Sequence, residues 1–170
     1  MNISLSDLNS CPASVFVDHL GGIFEHSPWV AEAVVGQRPF ASVEALHGAM
    51  VAAIDAAGDE PQLALIRAHP DLAGKAALAG ELTRESTSEQ SGAGLDRLTA
   101  GEYARFHELN DAYKERFDIP FILAVRGHDK HSILKAFETR LANIPQAEKT
   151  EALAQIARIG SFRLNDLIGD

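Results

Sequence analysis

Apolar residues recur along this chain at spacings of three and four, the period of a helix with one buried face, and no long segment keeps the alternation of a half-buried strand. After Ser42, a good helix cap, Val43, Leu46, Met50, Ala53 and Ala57 follow that period until Gly58 stops it. Thr99 and Glu102 have the spacing of a capping box, in which hydroxyl and carboxylate each take a backbone N–H that the helix leaves unpaired. Behind that box Tyr103, Phe106, Leu109, Tyr113 and Phe117 share a face, while Lys114 and Arg116 suit the negative end of the helix dipole. Asp129 is placed to cap a further helix, buried through Ile133, Leu134, Phe137 and Leu141. A last helix should begin near Pro145, whose missing N–H has no partner in a first turn, and bury Leu153, Ile156, Ile159, Leu164 and Leu167.

The pattern breaks in three places. Before residue 42, Pro12, the Gly21-Gly22 pair and Pro28 cut it into shorter helices. A short amphipathic stretch over residues 60–68 runs into His69-Pro70, and proline disfavours the α conformation in the residue before it, so His69 should sit where a helix breaks. Residues 119–125, Ile-Pro-Phe-Ile-Leu-Ala-Val, are the one strand-like piece; a lone strand has no ladder, which leaves an extended wall segment or a buried helix start. The expected fold is all-α: a single compact multi-helix domain over residues 1–170, without a sheet.

Composition narrows the partners. With 46% hydrophobic and 23% charged residues in a chain of 170, one apolar core is affordable and disorder is a poor description. Against 15 basic residues stand 24 acidic ones, and the net charge of −9 repels phosphate backbones and anionic lipid, so neither nucleic acid nor membrane is expected as a partner. Cys11 is the only cysteine, which precludes an intrachain disulfide and a thiolate metal cluster and suits a reducing compartment. The opening Met1-Asn2-Ile3-Ser4-Leu5-Ser6-Asp7 lacks the basic and apolar runs of a secretory signal. No apolar run is long enough to span a bilayer, and the last residues, Leu167-Ile168-Gly169-Asp170, are not a peroxisomal address. A cytoplasmic protein is expected.

Three segments are odd for a plain bundle. Polar groups crowd the chain break at Arg67-Ala68-His69-Pro70-Asp71-Leu72-Ala73-Gly74-Lys75. Residues 86–96 are polar and punctuated by glycine, and can cap a short helix whose N-terminus binds an anion. The apolar segment 119–125 ends in Arg126-Gly127. Each also has a plain structural explanation: His69 as a cap or buried imidazole, Glu89 as a complement to a helix dipole, and Phe121 to Val125 as core.

Taken together, His69-Pro70-Asp71-Leu72-Ala73-Gly74-Lys75, Ser88-Glu89-Gln90 and Gly92-Ala93-Gly94-Leu95 resemble the 2-oxo-4-hydroxy-4-carboxy-5-ureidoimidazoline (OHCU) decarboxylases of urate degradation. The resemblance continues through Phe106-His107-Glu108-Leu109-Asn110, Tyr113 and Phe117-Asp118-Ile119-Pro120-Phe121-Ile122, and ends in Ile159-Gly160-Ser161-Phe162-Arg163-Leu164. It implies His69 as the catalytic imidazole with Glu89 as its acidic companion. Pro70, Ser86, Thr87, Ser88, Glu89 and Gln90 would line the substrate site, together with the main chain of Phe121, Ile122, Leu123, Ala124 and Val125, and Arg163 would hold a substrate oxygen. It further implies OHCU as substrate, (S)-allantoin as product, a homodimer, and no cofactor or metal, since the substrate's own C=N bond can take up the electron pair released with CO2. Imidazole suits the proton step because its unperturbed pKa lies near neutrality.

Two other classes compete. A metal-dependent hydrolase would use some of the 7 histidines. His107-Glu108 begins like a His-Glu-x-x-His motif, but Asp111 stands at the second histidine's position, and His128 with His131 lacks a third ligand. A non-catalytic helical interaction module explains the helices, yet gives no reason for the segments around His69, Glu89 and Arg163.

Overall fold

The computed structural model describes residues 2–169, so Met1 and Asp170, used above in reading targeting signals, lie outside the described residues. The regular structure among them is helical: α1 (Leu5–Ser10), α2 (Ala13–Leu20), α3 (Trp29–Val34), a 3₁₀ turn (Val35–Gln37), α4 (Val43–Ala56), α5 (Asp59–Arg67), α6 (Lys75–Leu78), α7 (Arg84–Gly92), α8 (Ala100–Phe117), α9 (Lys130–Leu141) and α10 (Pro145–Leu167). No strand occurs among the described residues; the β-type pairing is an isolated parallel bridge between Ile3 and Ile168. The all-α expectation holds. The chain groups into two compact units, Met1–Ala68 with Ala157–Asp170, and His69–Ile156.

In the first unit α3 packs against α2 and α4. Ser42 caps α4 by accepting the Ala45 N–H at 3.0 Å. Leu46, Met50 and Ile54 are its buried residues; Ile54, not Ala53, continues the stripe because it lies one turn beyond Met50. The later part of α10 lies close to Phe24: a Cβ on Gly160 would come within 2.7 Å of that ring. Only glycine lets helix and ring approach so closely.

In the second unit α8 packs against α9. The predicted capping box is present, with Thr99 accepting the Glu102 N–H at 3.2 Å and Glu102 accepting the Thr99 N–H at 3.0 Å. Lys130 also reaches Glu102, and this contact, followed by the Thr99 backbone bond, holds the carboxyl down at about 2. Asp129 caps α9 through the Ser132 N–H at 2.8 Å. The core here is aromatic: Phe121 stacks on Phe137 with centroids 3.7 Å apart, while Phe106 meets Phe137 and Tyr113 meets Phe121 edge-on.

Two sequence expectations shift. Residues 86–92 belong to α7 itself, which Thr83 caps by accepting the Ser86 N–H at 3.2 Å, so they are helix body rather than a loop preceding one. Along α10 the buried positions are Glu148, Ala152, Gln155, Ile156, Gly160, Arg163, Leu164 and Ile168 just beyond its end, whereas Leu153, Ile159 and Leu167 are half-buried. Polar residues occupy the inner face there because buried partners satisfy them, and an apolar-only template skips them.

Candidate active site

The site expected from sequence centres on the break after α5. His69 lies two residues past the helix end and is 8% exposed. The loop that follows is tightly made. Ala73 has φ +53°, a left-handed conformation that costs a non-glycine residue about 1–2 kcal/mol. A Cβ on Gly74 would stand 2.7 Å from the Asp71 Cβ, so the loop folds back on itself.

Side chains from two helices hold this backbone. Gln90 of α7 accepts the Ala73 N–H at 3.0 Å and donates to the Asp71 carbonyl at 3.1 Å, so both ends of its amide close on the loop. From α8, Asn110 donates to the Leu72 carbonyl at 2.9 Å, and Lys114, one turn later, pairs with the Asp71 carboxylate. Within α7, Ser86 and Gln90 are buried one turn apart and Glu89 is half-buried beside them, while Thr87 and Ser88 are exposed. Thr87 turns its hydroxyl back to the Thr83 carbonyl at 2.9 Å.

Residues 119–125 lie outside any helix, so they are not a helix start, and Phe121, Ile122, Leu123, Ala124 and Val125 are all buried. Long side chains supply what a strand neighbour otherwise would. Arg140 of α9 donates to the Ile122 carbonyl, and Gln155 of α10 accepts the Ala124 N–H at 3.0 Å. Arg140 is itself fixed: its Nε donates to Glu148 at 2.8 Å and its guanidinium lies 4.4 Å over the Phe121 ring. Glu148 is 0% exposed and also receives the Tyr113 hydroxyl at 2.6 Å and the Asn143 amide at 2.8 Å. Burial first, then the bond to Glu148, pushes the Tyr113 phenol well above its ordinary value, so it stays a donor.

Arg163 belongs to the other unit. Its Nη2 lies 2.8 Å from Glu25 Oε1, and Nη1 donates to the Gly22 and Ile23 carbonyls at 3.3 and 3.4 Å. Both partners of this pair are buried, with side chains 5% and 1% exposed.

The residues that sequence reasoning missed are Glu25, Asn110, Arg140, Glu148 and Gln155. A usable signal existed for some: Asn110 stands one turn after Phe106 and Arg140 three residues after Phe137, polar groups in phase with an apolar face. The candidate metal ligands do not converge. His107 lies 3.5 Å from Asp111 one turn away, His128 bonds Ser132 at 3.0 Å, and no group of three His, Cys, Asp or Glu side chains suited to a metal is found among the described residues.

The profile of the OHCU decarboxylase family matches residues 9–165, across the residues of both units. The chain belongs to the OHCU decarboxylase family. The OHCU decarboxylase of Halalkalicoccus jeotgali is 39% identical over 165 residues, which are 97% of this chain and 92% of that protein. The uric acid degradation bifunctional protein PucL of Bacillus subtilis is 42% identical over 165 residues, 97% of this chain but 33% of that protein. A crystal structure of (S)-allantoin synthase superposes with a TM-score of 0.79 at 34% identity, over 98% of this chain and 54% of that one. This chain therefore spans about half of that structure's chain and a third of the bifunctional protein. Within the family's match fall the His69 loop, α7, the 119–125 segment and Arg163.

Proposed function

We propose that this chain decarboxylates OHCU to (S)-allantoin, with His69 delivering a proton to one face of the ring. The observation that carries the site assignment is the Gln90 clamp, which binds α7, bearing Ser86 and Glu89, to the loop that begins at His69. The substrate has a hydroxyl and a carboxylate on one ring carbon, next to a C=N bond. As the bond to the carboxylate breaks, its electron pair moves toward that C=N bond and the nitrogen takes a proton, leaving an enol. The enol hydroxyl then loses its proton while the neighbouring carbon gains one, so each CO2 released consumes one proton overall. The protein's part is to orient the carboxylate, exclude water and place that last proton.

His69 supplies the proton. Glu89 fixes the imidazole tautomer or accepts from the ureido N–H groups. The main chain of residues 121–125 lines the site together with Pro70 and residues 86–90. Arg163 offers a planar fork for a substrate oxygen, and Glu25 bonded to its Nη2 sets the fork's orientation. The same proposal includes a homodimer and a cytoplasmic location; no helix among the described residues is long and apolar enough to cross a membrane.

Freshly made OHCU, followed by absorbance and circular dichroism with the purified chain, tests this. Turnover that survives exhaustive chelation and gives optically active (S)-allantoin is expected. Glu89→Gln and Arg163→Ala should each lower kcat/KM strongly; variants that melt earlier at unchanged kcat/KM would make those two residues structural. Racemic product at the uncatalysed rate from the intact chain would refute the proposal.

A further inference from the structure

We infer that Asn110 is a positioning residue for the reaction, acting through the loop that carries His69; this rests on the role proposed for His69. Asn110 lies in the segment Phe106-His107-Glu108-Leu109-Asn110, none of whose side chains has a part in the reaction proposed above. Its helix explains part of that segment: Phe106, Leu109 and Tyr113 are buried apolar or aromatic contacts. Asn110 is different, a polar side chain 3% exposed on the same face.

Its amide nitrogen donates to the Leu72 carbonyl at 2.9 Å, three residues after His69. That carbonyl lies between the two groups Gln90 holds, the Asp71 carbonyl and the Ala73 N–H. Two consecutive peptide units, 71–72 and 72–73, are thereby fixed from two helices, ending at Ala73 in its left-handed conformation. A strained backbone persists only where its surroundings over-determine it. Lys114, four residues after Asn110, reaches the same loop through Asp71, so one turn of α8 presents both groups to it.

The other end of the amide strengthens the case. Asn110 Oδ1 is buried without a hydrogen-bond partner among the described atoms. What the asparagine provides is the single directed bond to Leu72, and with it a fixed loop geometry. A small displacement of a proton donor is enough to cost a large factor in rate.

A double-mutant cycle tests this. Asn110→Leu and Asn110→Asp are made in the wild-type and in the His69→Asn chain; aspartate keeps the volume but as a carboxylate cannot donate, and it stands in if leucine prevents folding. In the wild-type background kcat/KM should fall about tenfold or more, mainly in kcat, and the product should lose part of its handedness. In the His69→Asn background the same change should be worth less than about twofold, since residues acting through one group are not additive. Equal losses in both backgrounds, or wild-type rate and handedness in a folded Asn110 variant beside an impaired His69→Asn enzyme, would overturn the inference alone. A His69→Asn enzyme as fast as wild type would bring down the role of His69 and this inference with it.

Discussion

The loop after His69 and the non-helical segment 119–125 pose the same problem in one unit: irregular backbone among helices, with no ladder to satisfy it. They are held by different chemistry. The loop depends on neutral amides, Gln90 and Asn110, and on an ion pair whose lysine is 46% exposed. The segment is gripped by a buried guanidinium, a glutamine and a stack of aromatic rings. Neutral hydrogen bonds contribute about 0.5–1.5 kcal/mol each, so the loop's restraint is directional more than strong. The buried Arg140–Glu148 pair is another matter, because removing one partner strands the other charge. The wall is therefore the stiff side of the unit, and the loop the side where geometry can be altered without unfolding.

The largest expected effect comes from breaking the wall. Glu148→Ala leaves Arg140 buried and unpaired and removes the acceptor of Tyr113 and Asn143, and should cost about 3–5 kcal/mol, read as a large fall in Tm or in the urea midpoint. A loss below about 1 kcal/mol would show that Arg140 is supported chiefly by Ile122 and the rings. Asn110→Leu, the loop's counterpart, should change stability by about 1–3 kcal/mol at most, less than Glu148→Ala, while still lowering kcat/KM. The reverse order would erase the distinction between stiff wall and directed loop.

The smallest effect is electrostatic. Glu102 has its carboxyl held at about 2 against an ordinary 4.5, a depressed folded value, so its contribution is present above 4.5 and is lost as the pH falls toward 2. Acid titration followed by far-ultraviolet circular dichroism should show a modest loss within that window. Glu102→Gln, which keeps a side-chain acceptor for Thr99 but no charge to titrate, should flatten it.

The two regions also differ in how far sequence revealed them. Capping residues and apolar periodicity made α4, α8 and α9 readable, since those signals are local: Ser42, Thr99 with Glu102, and Asp129 all cap where expected. The break at His69-Pro70 was legible for the same reason, as proline constrains its immediate neighbour. What holds the irregular backbone was not legible, because the bonds from Arg140 to Ile122, Gln155 to Ala124 and Asn110 to Leu72 join residues 18, 31 and 38 apart in the chain. No periodicity encodes such pairs. The same blindness misplaced the inner face of α10, where Glu148, Gln155 and Arg163 sit among the apolar positions. Resemblance to known decarboxylases supplied the candidate site residues, the clamping Gln90 among them, but not Asn110, Arg140 or Gln155.

In the proposed mechanism His69 delivers the proton, and the decisive measurement is the decarboxylation rate of His69→Asn together with the circular dichroism of allantoin collected before it racemises. Asparagine keeps a polar group of similar reach but cannot transfer a proton near neutral pH. Because His69 lies in a loop beyond the end of α5, the variant should fold. Its kcat/KM should fall by about 10²-fold or more, the usual scale for a lost general acid, and the residual product should lose its handedness. Near-wild-type turnover with fully (S) product would mean that the proton comes from another group.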